Sequence, residues 1–142
     1  MIGKEYQKFS QVENLSDYAK VSDTTIYGNN YNPAYSILHL RNKSNNLVVF
    51  NSITHDLYNT RTYRLLDSLI IPNLYTPELI TIGYCEKNQD RNENLIAIVD
   101  KSDSLLVEHI RHVWKADTNS KKIEKLKNLN GIKCYNELFE MN

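Results

Sequence analysis

The stretch SLLVEHIRHVW, from Ser104 to Trp114, carries two of the chain's four histidines. His109 and His112 stand at i, i+3, and Glu108 directly precedes them. Two imidazoles at this spacing can share a metal ion, and an imidazole near a carboxylate can move a proton. On a helix the two histidines would lie about 60° apart, with Glu108 about 40° further round. A zinc helix of the HExxH type instead sets its ligands at i, i+4 with the Glu between them. Catalytic zinc also needs a third protein ligand. His39, His55, Asp56 or Cys134 could supply it only by a tertiary meeting that the spacing does not indicate. The pattern therefore predicts a solvated flank beside Arg111 and Lys115, with no metal ligand, no cofactor and no catalytic residue.

The other titratable candidates read the same way. In SILHLRN, Ile37, His39 and Arg41 share one strand face, opposite Ser36, Leu38 and Leu40. His39 is expected at the wet end of its face, in a polar pair across strands. His55 and Asp56 fall at a turn; adjacent residues on a strand point apart, so the dipeptide is not a dyad, and Asp at a turn bonds the backbone. Tyr27, Tyr31 and Tyr35 recur every fourth residue in a loop rich in Asn and Gly. Tyrosines among amides suit a partner surface or a stacking platform. The sequence holds no glycine-rich phosphate loop, G-x-S-x-G elbow, C-x-x-C pair or EF-hand loop.

Hydrophobic periodicity places these residues on elements. SQVENLSDYAK predicts a short N-terminal helix, with Ser10 and Glu13 at capping-box spacing and Val12, Leu15 and Tyr18 on one face. SDTTIYGNNYNPAY, including Asn29 and Asn30, reads as a loop. The period then changes to two. Tyr35 to Arg41 and Leu47 to Ile53 read as a hairpin around the polar turn NKSNN. Arg61 to Ile71 and Glu78 to Lys87 read as strands, and NQDRNEN as a turn. LIAIV, Leu95 to Val99, is almost wholly apolar, which marks a central strand buried on both faces. Ser102 as N-cap and Asp103 near the dipole's positive end predict a principal helix over 103–113. On it Leu106, Val107, Ile110, Val113 and Trp114 share an arc of about 120°. Beyond it, VWKAD-TNSK-KIEKL favours a hairpin over a helix, and GIKCYNEL gives a last short strand. The expected fold is α+β: a mostly antiparallel sheet of about six to eight strands with that helix packed on it.

The totals narrow the function. The chain has 142 residues, the size of a single domain. It is 41% hydrophobic and 24% charged, and its formal net charge is zero. Neutrality disfavours nucleic acid as a partner, although Arg111 to Lys133 is locally basic. No apolar run approaches the ~20 residues that cross a bilayer. The opening MIGKEYQKF has no apolar leader segment. Cys85 and Cys134 stand far apart in no metal-type spacing; with the features above this predicts reduced thiols in a cytoplasmic protein, the alternative being a mature secreted chain.

RTYRLLDSLII, IAIVDKSD, HVWKAD, KKIEKL and GIKCYNE together resemble a family of small bacterial α+β proteins with no known activity, over roughly Arg61 to Glu137. The resemblance implies one compact fold and carries no chemistry. The expected function is a non-catalytic binding protein of immunity or inhibitor type, acting on a partner protein. Its expected contact residues are Tyr27, Tyr31, Tyr35, His109, Arg111, His112 and Lys115. A small hydrolase or nuclease using His55 or His39 is the second reading, and a nucleic-acid module using the C-terminal lysines the third.

Overall fold

Antiparallel pairing dominates a computed structural model that describes residues 1–28, 31–91 and 94–139. Asn29 and Asn30 of the tyrosine loop, and Asn92 and Glu93 of the NQDRNEN turn, lie outside the described residues. The chain divides into two compact units, Met1–Asn73 and Leu74–Asn142.

The first unit is a five-stranded sheet in the order β1-β5-β4-β3-β2. Its strands are β1 (Glu5–Tyr6), β2 (Ala19–Tyr27), β3 (Pro33–Arg41), β4 (Asn45–His55) and β5 (Arg61–Pro72). The NKSNN turn closes as the sequence predicts: Asn42 Oδ1 accepts from the backbone N–H groups of Ser44 and Asn45. In register, Ser36 faces Asn51, Leu38 faces Val49 and Leu40 faces Leu47. Leu38, Leu40, Leu47, Val49 and Leu65 form the core of one sheet face. The N-terminal segment covers that face with Tyr6, Val12 and Leu15. It does so through two 3-10 turns, Phe9–Gln11 and Glu13–Leu15, and not an α-helix capped by Ser10. A 3-10 turn repeats every three residues, so Val12 and Leu15 still fall on one side. Residues 19–27, read partly as helix and partly as loop, are the edge strand β2; five of its nine positions lack an apolar side chain, so no clean alternation marks it.

The second unit holds a four-stranded sheet, β10-β9-β8-β6, and a two-stranded ribbon, β11-β7. Its strands are β6 (Glu78–Ile82), β7 (Cys85–Lys87), β8 (Leu95–Asp100), β9 (Ile110–Asp117), β10 (Lys122–Lys125) and β11 (Ile132–Cys134). Glu78 to Lys87 is therefore two strands in two sheets. The break falls at Gly83, whose φ of 86° takes the chain through a region that side chains disfavour. β8 is an interior strand with all of Leu95 to Val99 buried, and β9 and β10 pair as a hairpin.

The α+β expectation is overturned, because no helix reaches seven residues among the described residues and 103–113 is not helical. Two causes are visible. Backbone groups that a helix would use internally go to the C-terminal segment: Val107 N–H donates to the Cys134 carbonyl, and the Leu105 carbonyl accepts from Asn136 N–H. Further on, β8 and β9 pair Ala97 with Val113 and Ile98 with His112, then Val99 with Ile110, leaving Arg111 as a bulge. A bulge puts residues three apart on one face, so Ile110 and Val113 both meet the core. That spacing is the one that mimics a helix in the sequence.

Cys85 and Cys134 lie directly opposite one another on β7 and β11 and form a disulfide, which corrects the expectation of free thiols. With Ile132 they pack on Leu95, Ala97, Val99 and Val113 of the larger sheet. The bond closes a loop with a sequence separation of 49, which restricts the unfolded chain by about 4 kcal/mol. Cys85→Ala/Cys134→Ala is expected to lower the unfolding free energy of the second unit by about that much in urea melts. A loss below ~1 kcal/mol would show that the crosslink does not limit the unfolded ensemble.

Candidate functional site

His109 and His112 are both exposed and do not converge. His109 precedes β9 and is exposed, with Nδ1 3.3 Å from Asp100 Oδ2. Arg111, the bulged residue, donates from Nε to Asp100 Oδ1 at 2.6 Å and from Nη2 to Oδ2 at 3.1 Å. This guanidinium holds the Asp100 carboxyl below its ordinary pKa. His112, also exposed, lies tilted against Trp114 with ring centres 5.9 Å apart. Lys115 is half-buried on β9, opposite Leu95 on one side and Glu124 on the other. The positive charge of Arg111 is thus already matched by Asp100. Glu108 Oε1 accepts from the Ser104 hydroxyl at 3.4 Å. No three His, Cys, Asp or Glu side chains gather to hold a metal ion among the described residues.

Among the described residues His39 and His55 likewise meet no carboxylate in a catalytic arrangement. His39 is 3% exposed, so the wet environment expected for it is corrected. Its cross-strand polar partner does exist: Nε2 lies 2.8 Å from Asn46 Oδ1, which also accepts from Arg41 Nε at 2.9 Å. Burial, reinforced by the nearby Arg41 charge and opposed by the Asn46 bond, lowers the pKa of His39 from 6.5. His55 ends β4 in solvent. Asp56 serves the turn: its Oδ1 accepts from the backbone N–H of Tyr58 and of Thr60, each at 2.9 Å.

Two other places gather functional character, both in the first unit. One is an end of the sheet. In the antiparallel order, β2 finishes and β3 begins at the same end where β4 finishes and β5 begins. The adjacent hairpin loops therefore sit side by side. One presents Tyr27, 61% exposed, and Tyr31, 89% exposed; Tyr35, by contrast, is half-buried, its ring 5.6 Å from that of Phe50. The other presents Leu57, fully exposed, and Tyr58, 89% exposed. This second loop is stiff. Besides the Asp56 side-chain bonds, Asp56 N–H donates to the Thr60 carbonyl and Asn59 N–H to the Asp56 carbonyl. The sequence did show an apolar pair inside a turn, and Leu57 and Tyr58 could have been singled out on that ground.

The second place is a cleft of about 270 Å³ between the Gln7–Ser10 segment and the core-facing side of the sheet. Tyr6, Ser36 and Asn51 line it, and they are 6%, 2% and 1% exposed. The Tyr6 hydroxyl donates to Asn51 Oδ1 at 2.6 Å, and Asn51 Nδ2 donates to Ser36 Oγ at 3.2 Å. Burial pushes the Tyr6 phenol well above its ordinary pKa, so it remains a donor. Tyr63 stacks on Tyr6 with ring centres 5.6 Å apart. No family model, curated protein or solved structure matches the chain, so these sites are interpreted from their own chemistry.

The buried His39 makes folding sensitive to mild acid. Its folded pKa lies below the unfolded value near 6.5, so its contribution is intact above that pH. It is lost as pH falls from there toward the folded pKa, because the unfolded chain takes up the proton first. His39→Gln keeps a donor for Asn46 and cannot titrate. Urea midpoints measured from pH 7.5 down to pH 5, about the range where a histidine titrates, are expected to fall less steeply for His39→Gln. Parallel curves for the two proteins would refute the assignment.

Proposed function

We propose that this chain is a non-catalytic binding protein that docks on a partner protein through the loop end of its first unit. The carrying observation is the fully exposed Leu57 beside Tyr58 on a turn locked by Asp56. Isolated surface leucines are ordinary. Two hairpin ends at the same end of the sheet expose Tyr27, Tyr31, Leu57 and Tyr58, and apolar side chains gathered at one end of a surface suit an interaction site. Tyrosine supplies large contact area with few rotatable bonds, and a pre-ordered loop loses little entropy on docking. Loops on a rigid sheet are where binding residues concentrate.

The His109–Lys115 side is the secondary contact surface in this reading. It contributes exposed His109 and His112, and less charge than the sequence suggests, because Arg111 already bonds Asp100. An inhibitory or immunity role fits a surface that offers anchors without a reactive group. No helix among the described residues is long and apolar enough to cross a membrane. For compartment, the Cys85–Cys134 disulfide supports an oxidising one over the cytoplasm first expected.

The test is affinity capture with the native chain and with Leu57→Ser/Tyr58→Ser, whose side chains are exposed and whose fold should be unaffected. A partner captured by the native chain is expected to bind the double variant at least ~30-fold more weakly, as loss of interface anchors does. His112→Ala is expected to weaken the same partner by less than ~5-fold. A partner held equally by the native chain and the double variant would overturn the assignment of this surface.

A further inference from the structure

The cleft beneath Gln7–Ser10 carries an inference separate from protein docking. Its floor is a directional chain of donors. Tyr6 donates to Asn51, Asn51 donates to Ser36, and among the described residues the Ser36 hydroxyl proton meets no acceptor. The chain therefore ends on a donor at the cleft. The two strands are apolar at the positions leading to it: Leu38 and Leu40 on β3, Leu47 and Val49 on β4. Apolar residues at 36 and 51 would continue that core, whereas a buried polar chain with an open end is unfavourable unless something completes it. The wall of the cleft is aromatic, with Phe9 and Tyr63, and its mouth carries Lys8 and Lys20 against one acid, Asp23. A volume of about 270 Å³ lies just under the ~300–1,000 Å³ typical of pockets for larger ligands. It has room for one ring with short substituents.

We infer that this cleft binds a small single-ring carboxylate whose far end carries an oxygen acceptor. The ring packs against Phe9 and Tyr63, the distal oxygen accepts from the Ser36 hydroxyl, and the carboxylate faces Lys8 and Lys20 at the mouth. A positively charged analogue would meet the lysines unfavourably, and an analogue without the distal oxygen would leave Ser36 open.

The experiment is a titration of the full chain followed by amide chemical shifts. The probes are 4-hydroxyphenylacetate, phenylacetate, which lacks the distal oxygen, and tyramine, which replaces the carboxylate with an ammonium. 4-Hydroxyphenylacetate is expected to bind with a Kd on the order of 1 mM, as a ligand of this size can. Its shifts should centre on Lys20, Ser36 and Asn51 and spare Leu57 and Tyr58. Phenylacetate should bind about 5-fold more weakly, the effect of one hydrogen bond, and tyramine should not compete. Lys8→Ala/Lys20→Ala, at exposed positions, should weaken 4-hydroxyphenylacetate roughly 5-fold and remove its salt dependence. Ser36→Ala should bring 4-hydroxyphenylacetate and phenylacetate to equal affinity. Tyramine binding as well as the acid, shifts confined to the loop end, no shifts at all, or unchanged affinity in the lysine variant would each overturn the inference. None of these outcomes depends on whether a partner protein docks at Leu57 and Tyr58.

Discussion

An extended backbone satisfies its N–H and C=O groups only by pairing with another strand, and the register of that pairing decides which side chains go inside. In most sheets alternation of apolar and polar residues fixes the register. Here it discriminates weakly, because both faces of β3 and β4 are buried: Leu38 and Val49 on one, Ile37 and Phe50 on the other. The polar residues supply what the apolar ones leave undetermined. Ser36 and Asn51 face each other and bond on one side. His39 and Asn46 bond across the same two strands on the other. A slip of one residue would break both bonds and bury their atoms unpaired, at a cost of about 1–3 kcal/mol for each unpaired group. The cleft and the register are thus built from the same contacts.

The elements legible in the sequence were those whose signal is local. The NKSNN hairpin, the apolar run of β8 and the β9–β10 hairpin each announce themselves within a dozen residues. The helix expected over 103–113 failed for a definable reason: the bulge at Arg111 gives Ile110 and Val113 a three-residue spacing that periodicity alone assigns to a helix. The N-terminal segment shows the converse, because its three-residue spacing was real and belonged to 3-10 turns. β2 was invisible because an edge strand with polar residues on both sides has no period to detect.

The candidate sites were less legible, again for physical reasons. The cleft joins Tyr6, Ser36, Asn51 and Tyr63, which come from four strands and meet only through sheet order. No spacing rule along the chain connects them. The tyrosine series was visible, yet its members separate in the fold: Tyr27 and Tyr31 reach solvent, while Tyr35 packs on Phe50. In the histidine pair the bulged Arg111 bonds Asp100, while ordinary strand alternation sets His112 beside Trp114. Charge pairing in the second unit therefore organises a surface around Asp100, whose partners His109 and Arg111 are the more exposed members.

The Cys85–Cys134 bond has a topological consequence. It spans the whole of β8, β9 and β10. During synthesis it cannot form until β11 has emerged, after every other strand of the unit. In the finished protein, a protease that cuts any loop between the two cysteines leaves both fragments covalently joined, and the severed strands remain held where they can pair again.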